Sequence, residues 1–287
     1  MKPRILHKRL SRSVGGDVAL TSFLMLVGAV MGIPLVFAVS MALKSPHEFW
    51  VFPPTFLPHS PTMKNFSDLF IAMSDSWVPM SRYIFNTCII TIAGTFGHIV
   101  IASMAAYVLS RYKFPGSRFL FTIVQGSLMF SAAVTGIPNY LILSKLGFID
   151  THWALIFPAF GSSLGLFLMK QFIDQMIPMA VLESAEMDGA NEWRKFWVIV
   201  MPMVRPAWLT LMIFSIQALW GIGSTPYIYS EQLKTLPYAL SQIQAAGIAR
   251  AGVGAAATVL MLLVPLSVFI LSQSSIIETM STSGMKE

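Results

Sequence analysis

A chain of 287 residues, 55% hydrophobic and 11% charged, with a mean hydropathy of +0.68, is not built like a water-soluble globule, which carries charge on about a quarter of its positions. Its net charge of +6 sits beside apolar runs, where basic residues set membrane orientation, so nucleic acid is excluded as a partner. Cys88 is the single cysteine, which excludes an intrachain disulfide and a cysteine-based metal cluster.

Six stretches are long enough, or nearly so, to cross a hydrocarbon core of about 30 Å, which takes roughly 20 apolar residues as helix. They lie near 18–43, 84–110, 119–143, 153–170, 205–225 and 254–273. The expected fold is an all-α polytopic membrane protein with a tail over 1–17, six transmembrane helices within 18–273, and a second tail over 274–287. The first span outruns the apolar core of a signal peptide and no small-residue cleavage site follows it, so it is read as a retained helix. Thirteen of the nineteen Lys and Arg fall on one side of this topology, among them Lys2, Arg4, Arg111, Lys113, Arg194 and Lys195. By the positive-inside rule both termini and the segment 171–202 face the cytoplasm.

In chain order, the outer loop over 44–82 contains "VFPPTFLPHSP", where proline fixes φ and removes donors, giving an irregular and stiff connection. Span two carries Gly94, Gly97, Ser103, Ala105 and Ala106, small residues that let helices approach closely. His98, mid-span, reads as a neutral histidine bonded within the bundle, because a proton relay needs a second titrating partner. The spans hold no Asp or Glu apart from Asp17 at an edge, which argues against ion coupling. "RYKFPGSR" and "SKLGFIDTHW" are the turns before and after span three. Pro34, Pro138, Pro158 and Pro265 interrupt spans, and each frees a carbonyl that must find a partner in the bundle. Packing is favoured over hinging for each. No G-x-x-x-x-G-K or H-E-x-x-H run occurs, so the chain has neither a phosphate loop nor a zinc motif. It is a pathway without an engine.

The stretch "ESAEMDGANEWRKFWVIVMP" (183–202) breaks the apolar pattern, with four of the thirteen acidic residues in ten positions. Pro178 can open a helix, and Glu183 and Glu186 suit its N-terminal half. Gly189 can end it at positive φ, and Asn191 can cap a second, amphipathic helix through Trp193, Phe196, Trp197 and Ile199. Spacing alone fits an interfacial hairpin and a docking element equally.

The stretch resembles the EAA loop of binding-protein-dependent ABC importer permeases, with Glu183-Ser184-Ala185, then Gly189, then Ile199 and Met201-Pro202 at the family spacing; Ser184 and Met201 replace the usual Ala and Leu. "FPPTFLP", "NTCIITIAGTFGHIVIASMAAYVLSRYKFPG", "IPNYLILSKLGFIDTHWALIFPA", "FLMKQFIDQMIP", "KTLPYAL" and "TSGMKE" extend the likeness to the carbohydrate branch, and within it to the second permease subunit of maltodextrin-like importers. Trp220-Gly221-Ile222-Gly223 departs from the family's W-N-[DE]-[FY] run.

The resemblance implies a type I permease fold and a share in ATP-driven uptake, without enzymatic activity or a cofactor in this chain. ATP and Mg would be bound by a partner ATPase dimer. A second homologous permease would complete the pathway in the inner membrane, and an extracytoplasmic binding protein would deliver an oligosaccharide or related sugar. A polyol-like solute such as glycerol phosphate is the alternative within the family, and a non-transporting assembly subunit the alternative outside it. The absence of basic residues inside the spans favours a neutral sugar. Residues 171–202 would form the coupling segment, with Glu183, Ser184, Ala185, Asp188, Gly189, Ala190, Ile199 and Pro202 as coupling residues, and Ser184, Ala185 and Ala190 as the close-packing face. Gln217, Trp220, Ser224, Thr225, Thr135, Asn139 and Tyr140 are the pathway candidates, since sugars suit amides, hydroxyls and flat aromatics, with interhelical bonding as the competing role. The outer loop 227–252 would approach the binding protein through "QAAGIARAG", and the tail "STSGMKE" would reach the ATPase.

Overall fold

The computed structural model describes residues 14–74, 77–245, 247 and 250–283. The tail through residue 13, part of the 244–249 stretch and the last four residues lie outside them. The regular elements of the described residues are all helices, without a strand. Its helices are α1 (Val14–Leu43), α2 (Lys64–Ser74), α3 (Met80–Arg111), α4 (Ser117–Ser127), α5 (Ala132–Lys145), α6 (Trp153–Phe160), α7 (Ser163–Met176) and α8 (Met179–Met187). After these come α9 (Glu192–Arg194), a π-helical turn over Lys195–Val200, α10 (Met201–Met203), α11 (Arg205–Trp220), α12 (Leu236–Gln244) and α13 (Ala251–Ser283).

Four stretches are long and apolar enough to cross a membrane: Gly15–Leu43, Met80–Arg111, Trp153–Met176 and Ala251–Gln273. A fifth results if Glu192–Met203 and Arg205–Trp220, bent by 77° at Val204, count as one. The expected third span is divided into α4 and α5, each too short alone. Ser127 turns its hydroxyl back onto the Val124 carbonyl and across to Ser163 of α7, and Ser131 takes the extended conformation (φ −76°, ψ 156°) that starts α5. Span five also ends early. Gly221 caps α11 directly after Trp220, so Ser224 and Thr225 stand in a loop. At the other end α13 continues to Ser283, past the tail boundary expected at 274.

The chain divides into two compact units. In the first, comprising residues up to 69 and 248–259, most of the apolar length of α1 is exposed, with Phe37 meeting Phe56 near its end. Its end is tied down: buried Asn65 donates from Nδ2 to the carbonyls of Ala42 (2.8 Å) and Lys44 (2.7 Å), which the helix leaves unpaired. Ser40 and Lys44 donate to the carbonyls of Phe56 and Thr55, which folds the proline-rich loop back onto the helix end.

In the second unit α3 is central and packs on α6, α7 and α11. Its small residues permit this. A Cβ on Gly97 would lie 2.0 Å from Cε1 of Phe160, and one on Gly94 2.6 Å from Cδ1 of Leu219. The polar face of α3 is spent inside the same unit. Tyr83 donates to Glu231 (2.8 Å), Asn86 to the carbonyls of Gln232 (2.8 Å) and Lys234 (2.9 Å), and Thr87 Oγ1 accepts from the Leu236 amide (2.8 Å). His98, as expected, is bonded within the bundle, to Ser215 of α11. At the far end Arg111 donates to the carbonyls of Ile173 and Ile177, closing the C-terminus of α7.

Candidate functional site

The 178–204 segment forms a short helix, a sharp reversal and a π turn. Pro178 stands at the N-cap of α8, one position before the first helical residue. At the other end Gly189 has φ +76°. Its amide donates to the Glu186 carbonyl (2.9 Å) and the Ala190 amide to the Ala185 carbonyl (2.9 Å). This pair of bonds is a Schellman cap, which needs a residue at positive φ, and glycine adopts it without strain. Asn191 then caps α9, its Oδ1 accepting from the Arg194 amide at 2.8 Å.

The inner face of α8 is Leu182 and Ala185, both buried. Leu182 belongs to a core with Tyr107 of α3, Ile173 of α7, Phe196 and Val200 of the π turn, and Leu211 of α11. The close-packing face assigned to Ser184, Ala185 and Ala190 is therefore divided: Ala185 points into its own chain, Ala190 is half-buried, and Ser184 is exposed. The turn at i, i+3 along α8 that buries Leu182 necessarily takes Ala185 with it. What α8 offers outward is Glu183, Ser184, Met187, Asp188 and Gly189, with Met187 89% exposed. Ile199 is half-buried against the core and Pro202 is exposed in α10.

Lys195 was not singled out by sequence, yet it joins these pieces. Its side chain is buried, and Nζ bonds Glu186 of α8 (2.9 Å) and Glu192 of α9 (3.0 Å). The other oxygen of Glu192 accepts from the Tyr107 hydroxyl at 3.0 Å. A polar bridge thus runs from α8 through the π turn to α3.

The pathway candidates separate into four places. Ser224 and Thr225 line a polar pocket of about 240 Å³ with Lys234, Thr235, Tyr238 and Gln242. Tyr140 is half-buried and meets Tyr227 and Tyr229. Thr135 donates to the Ser131 carbonyl of its own helix, while Asn139 on α5 and Gln217 on α11 are exposed. Trp220 does not line an open surface. It is buried, and its Nε1 donates to the Met261 carbonyl at 3.1 Å. Pro265 of α13 has no amide to fill that carbonyl four residues back, so Trp220 repairs a proline break. Tyr227, Tyr229, Lys234 and Tyr238 escaped the sequence reading; the alternate tyrosines in "PYIYS", outside any apolar run, were the available signal.

Residues 98–277 match the family described as "Binding-protein-dependent transport system inner membrane component". The diacetylchitobiose uptake system permease protein NgcG of Streptomyces coelicolor is 27% identical over 202 residues, 70% of this chain and 65% of that protein. The polygalacturonan/rhamnogalacturonan transport system permease protein YtcP of Bacillus subtilis is 35% identical over 158 residues, 52% of this chain and 54% of that protein. These matches span between half and two thirds of those relatives. In fold, the chain is similar to a chain of a crystallised bacterial ABC transporter involved in the import of the acidic polysaccharide alginate. The TM-score is 0.76 at 18% identity, covering 93% of this chain and 99% of that one.

Proposed function

Since the chain belongs to the family of binding-protein-dependent transport system inner membrane components, we propose that it is a multi-pass permease subunit of an ATP-driven importer. With a second homologous permease it forms the route for an oligosaccharide or related sugar handed over by an extracytoplasmic binding protein. ATP and Mg are held by a partner ATPase dimer, and both termini lie in the cytoplasm with α8.

The observation that carries this reading is α8 itself, a short capped helix with an exposed outer face and an inner face built into the core of α3, α7 and α11. A partner that moves against Glu183, Ser184, Met187 and Asp188 displaces Leu182 and Ala185, and these bear on Phe196, Val200 and Tyr107. Closure of the ATPase dimer is thereby converted into movement of the spans. The route itself is supported by the polar pocket around Ser224 and Thr225, whose hydroxyls and amides suit a sugar.

Gly189 tests the reading. A Cβ there meets nothing within 4 Å, so substitution does not clash within this chain. Any side chain at that φ adds roughly 1–2 kcal/mol of backbone strain. Gly189→Ala imposes the strain alone, and Gly189→Leu adds bulk on the outer face. Both variants should insert and pair with the partner permease. Gly189→Leu should lose at least about fivefold in ATPase co-purification or in ATP-driven uptake, the lower bound set by that strain, and Gly189→Ala should lose less. Normal association and normal uptake in Gly189→Leu would place the docking element elsewhere.

A further inference from the structure

Asp150 lies in the turn between α5 and α6 at φ +59°. Its amide donates to the Tyr227 carbonyl at 2.8 Å. Its Oδ1 accepts from the amides of Tyr229 (2.9 Å) and Ser230 (2.8 Å), and its Oδ2 from the Ser230 hydroxyl. These bonds pin residues 227–230 to the turn through backbone groups, which leaves the tyrosine rings free of the clamp. The rings instead meet one another. Tyr140 stacks on Tyr227 with centroids 6.4 Å apart and planes 24° from parallel. The hydroxyls of Tyr140 and Tyr229 are 3.1 Å apart, and Tyr229 is 59% exposed.

We infer that Tyr140, Tyr227 and Tyr229 form a platform that binds one pyranose unit of a neutral oligosaccharide, an inference that rests on the importer reading above. A pyranose has a C–H face that packs on a flat aromatic surface and a rim of hydroxyls that needs donors and acceptors. Phenol rings supply both at once. The backbone clamp and the mutual ring contacts fix the platform beforehand, so little ordering is required when a sugar arrives. Charge selects among sugars. The ionised group built into the platform is Asp150, whose oxygens are already taken by Tyr229 and Ser230. Its charge repels a uronate carboxylate.

The test uses the whole importer, with partner permease and ATPase subunits, in nanodiscs without binding protein. Saturation-transfer NMR reads contact with two probes, maltotriose and trigalacturonate. Maltotriose should show transfer to its ring C–H protons. That signal should fall at least threefold in Tyr229→Ala and stay within twofold in Tyr229→Phe, which keeps the ring. Trigalacturonate should give the weaker signal. Absence of transfer in the natural protein, an unchanged signal in Tyr229→Ala, or an equal or stronger signal from trigalacturonate overturns the platform. Tyr229→Ala leaves the clamp intact because the clamp uses the amide of residue 229, so misfolding does not mimic the result. Binding-protein-stimulated ATP hydrolysis is measured on the same variant, to separate sugar contact from protein docking. A collapse of stimulation with maltotriose contact retained assigns the surface to protein docking and overturns the sugar assignment. Failure of the natural importer, reconstituted with its binding protein in sealed vesicles, to take up any sugar on ATP addition, with maltotriose contact present, sinks the importer reading and leaves the platform standing.

Discussion

Gly165 of α7 exists as glycine because of one neighbour: a Cβ there would stand 1.9 Å from Nε2 of His98, whose ring is held on its other side by Ser215. Gly165→Ala should destabilise the subunit by roughly 1–3 kcal/mol, the usual penalty for overpacking a filled site. In a His98→Ala background the same change should be much milder, since neighbouring effects couple. Thermal unfolding of the four proteins in detergent measures this, and strictly additive values would mean that the strain lies elsewhere. Glu48 provides a pH-dependent counterpart outside the membrane. The His59 amide, then the hydroxyl and amide of Ser60, hold its carboxyl at about 2 against an ordinary 4.5. The folded value is the lower one, so the stabilisation is complete above about 4.5 and is lost as pH falls toward about 2. Protection of the His59 and Ser60 amides from hydrogen exchange should be flat above that window and fall within it. Glu48→Gln should remove the dependence, and a persistent one would implicate another group. At this scale the sequence was readable wherever the backbone alone decides. Gly189 at positive φ and Asn191 as a cap follow from local geometry, whereas the inward turn of Ala185 and the bond from Trp220 to a proline-freed carbonyl depend on neighbours that no local pattern names.

The π turn over Lys195–Val200 inserts an extra residue into a helical run and rotates the side chains beyond it about the helix axis. It also brings Lys195 Nζ between Glu186 and Glu192. Lys195→Met keeps most of the buried stem and removes the bridge between α8 and α9. ATP hydrolysis should then stay within about twofold while sugar carried per ATP falls several-fold, and Lys195→Arg should recover part of the loss, because a guanidinium can still pair with both carboxylates. An unchanged transport-to-hydrolysis ratio would remove the bridge from the transmission route. Hydrophobic periodicity could not foresee this turn, since a pattern at 3.6 residues has no mark for an added residue. The division of the third expected span was hidden for a related reason. A hydropathy window weighs apolar content over 119–143 but does not register that Ser127 bonds backward while Ser131 leaves the helix.

Across the whole chain, apolar length carried the membrane assignment, and the EAA-like stretch carried the family. The gathering of polar side chains did not show, because it depends on pairs far apart in sequence. Arg82, Tyr83, Asn86 and Thr87 of α3 find their partners at Glu231, Gln232, Lys234 and Leu236, between 146 and 150 residues later. At roughly 5–20 residues per second of synthesis, α3 enters the bilayer on the order of ten to thirty seconds before those partners exist. During that interval its amide, hydroxyl and imidazole groups face lipid or whatever the insertion machinery provides. A nascent helix with this inventory gains by lingering beside the translocon until α11 and the 231–236 segment have emerged, so the order of biosynthesis is as much a constraint on α3 as its final packing.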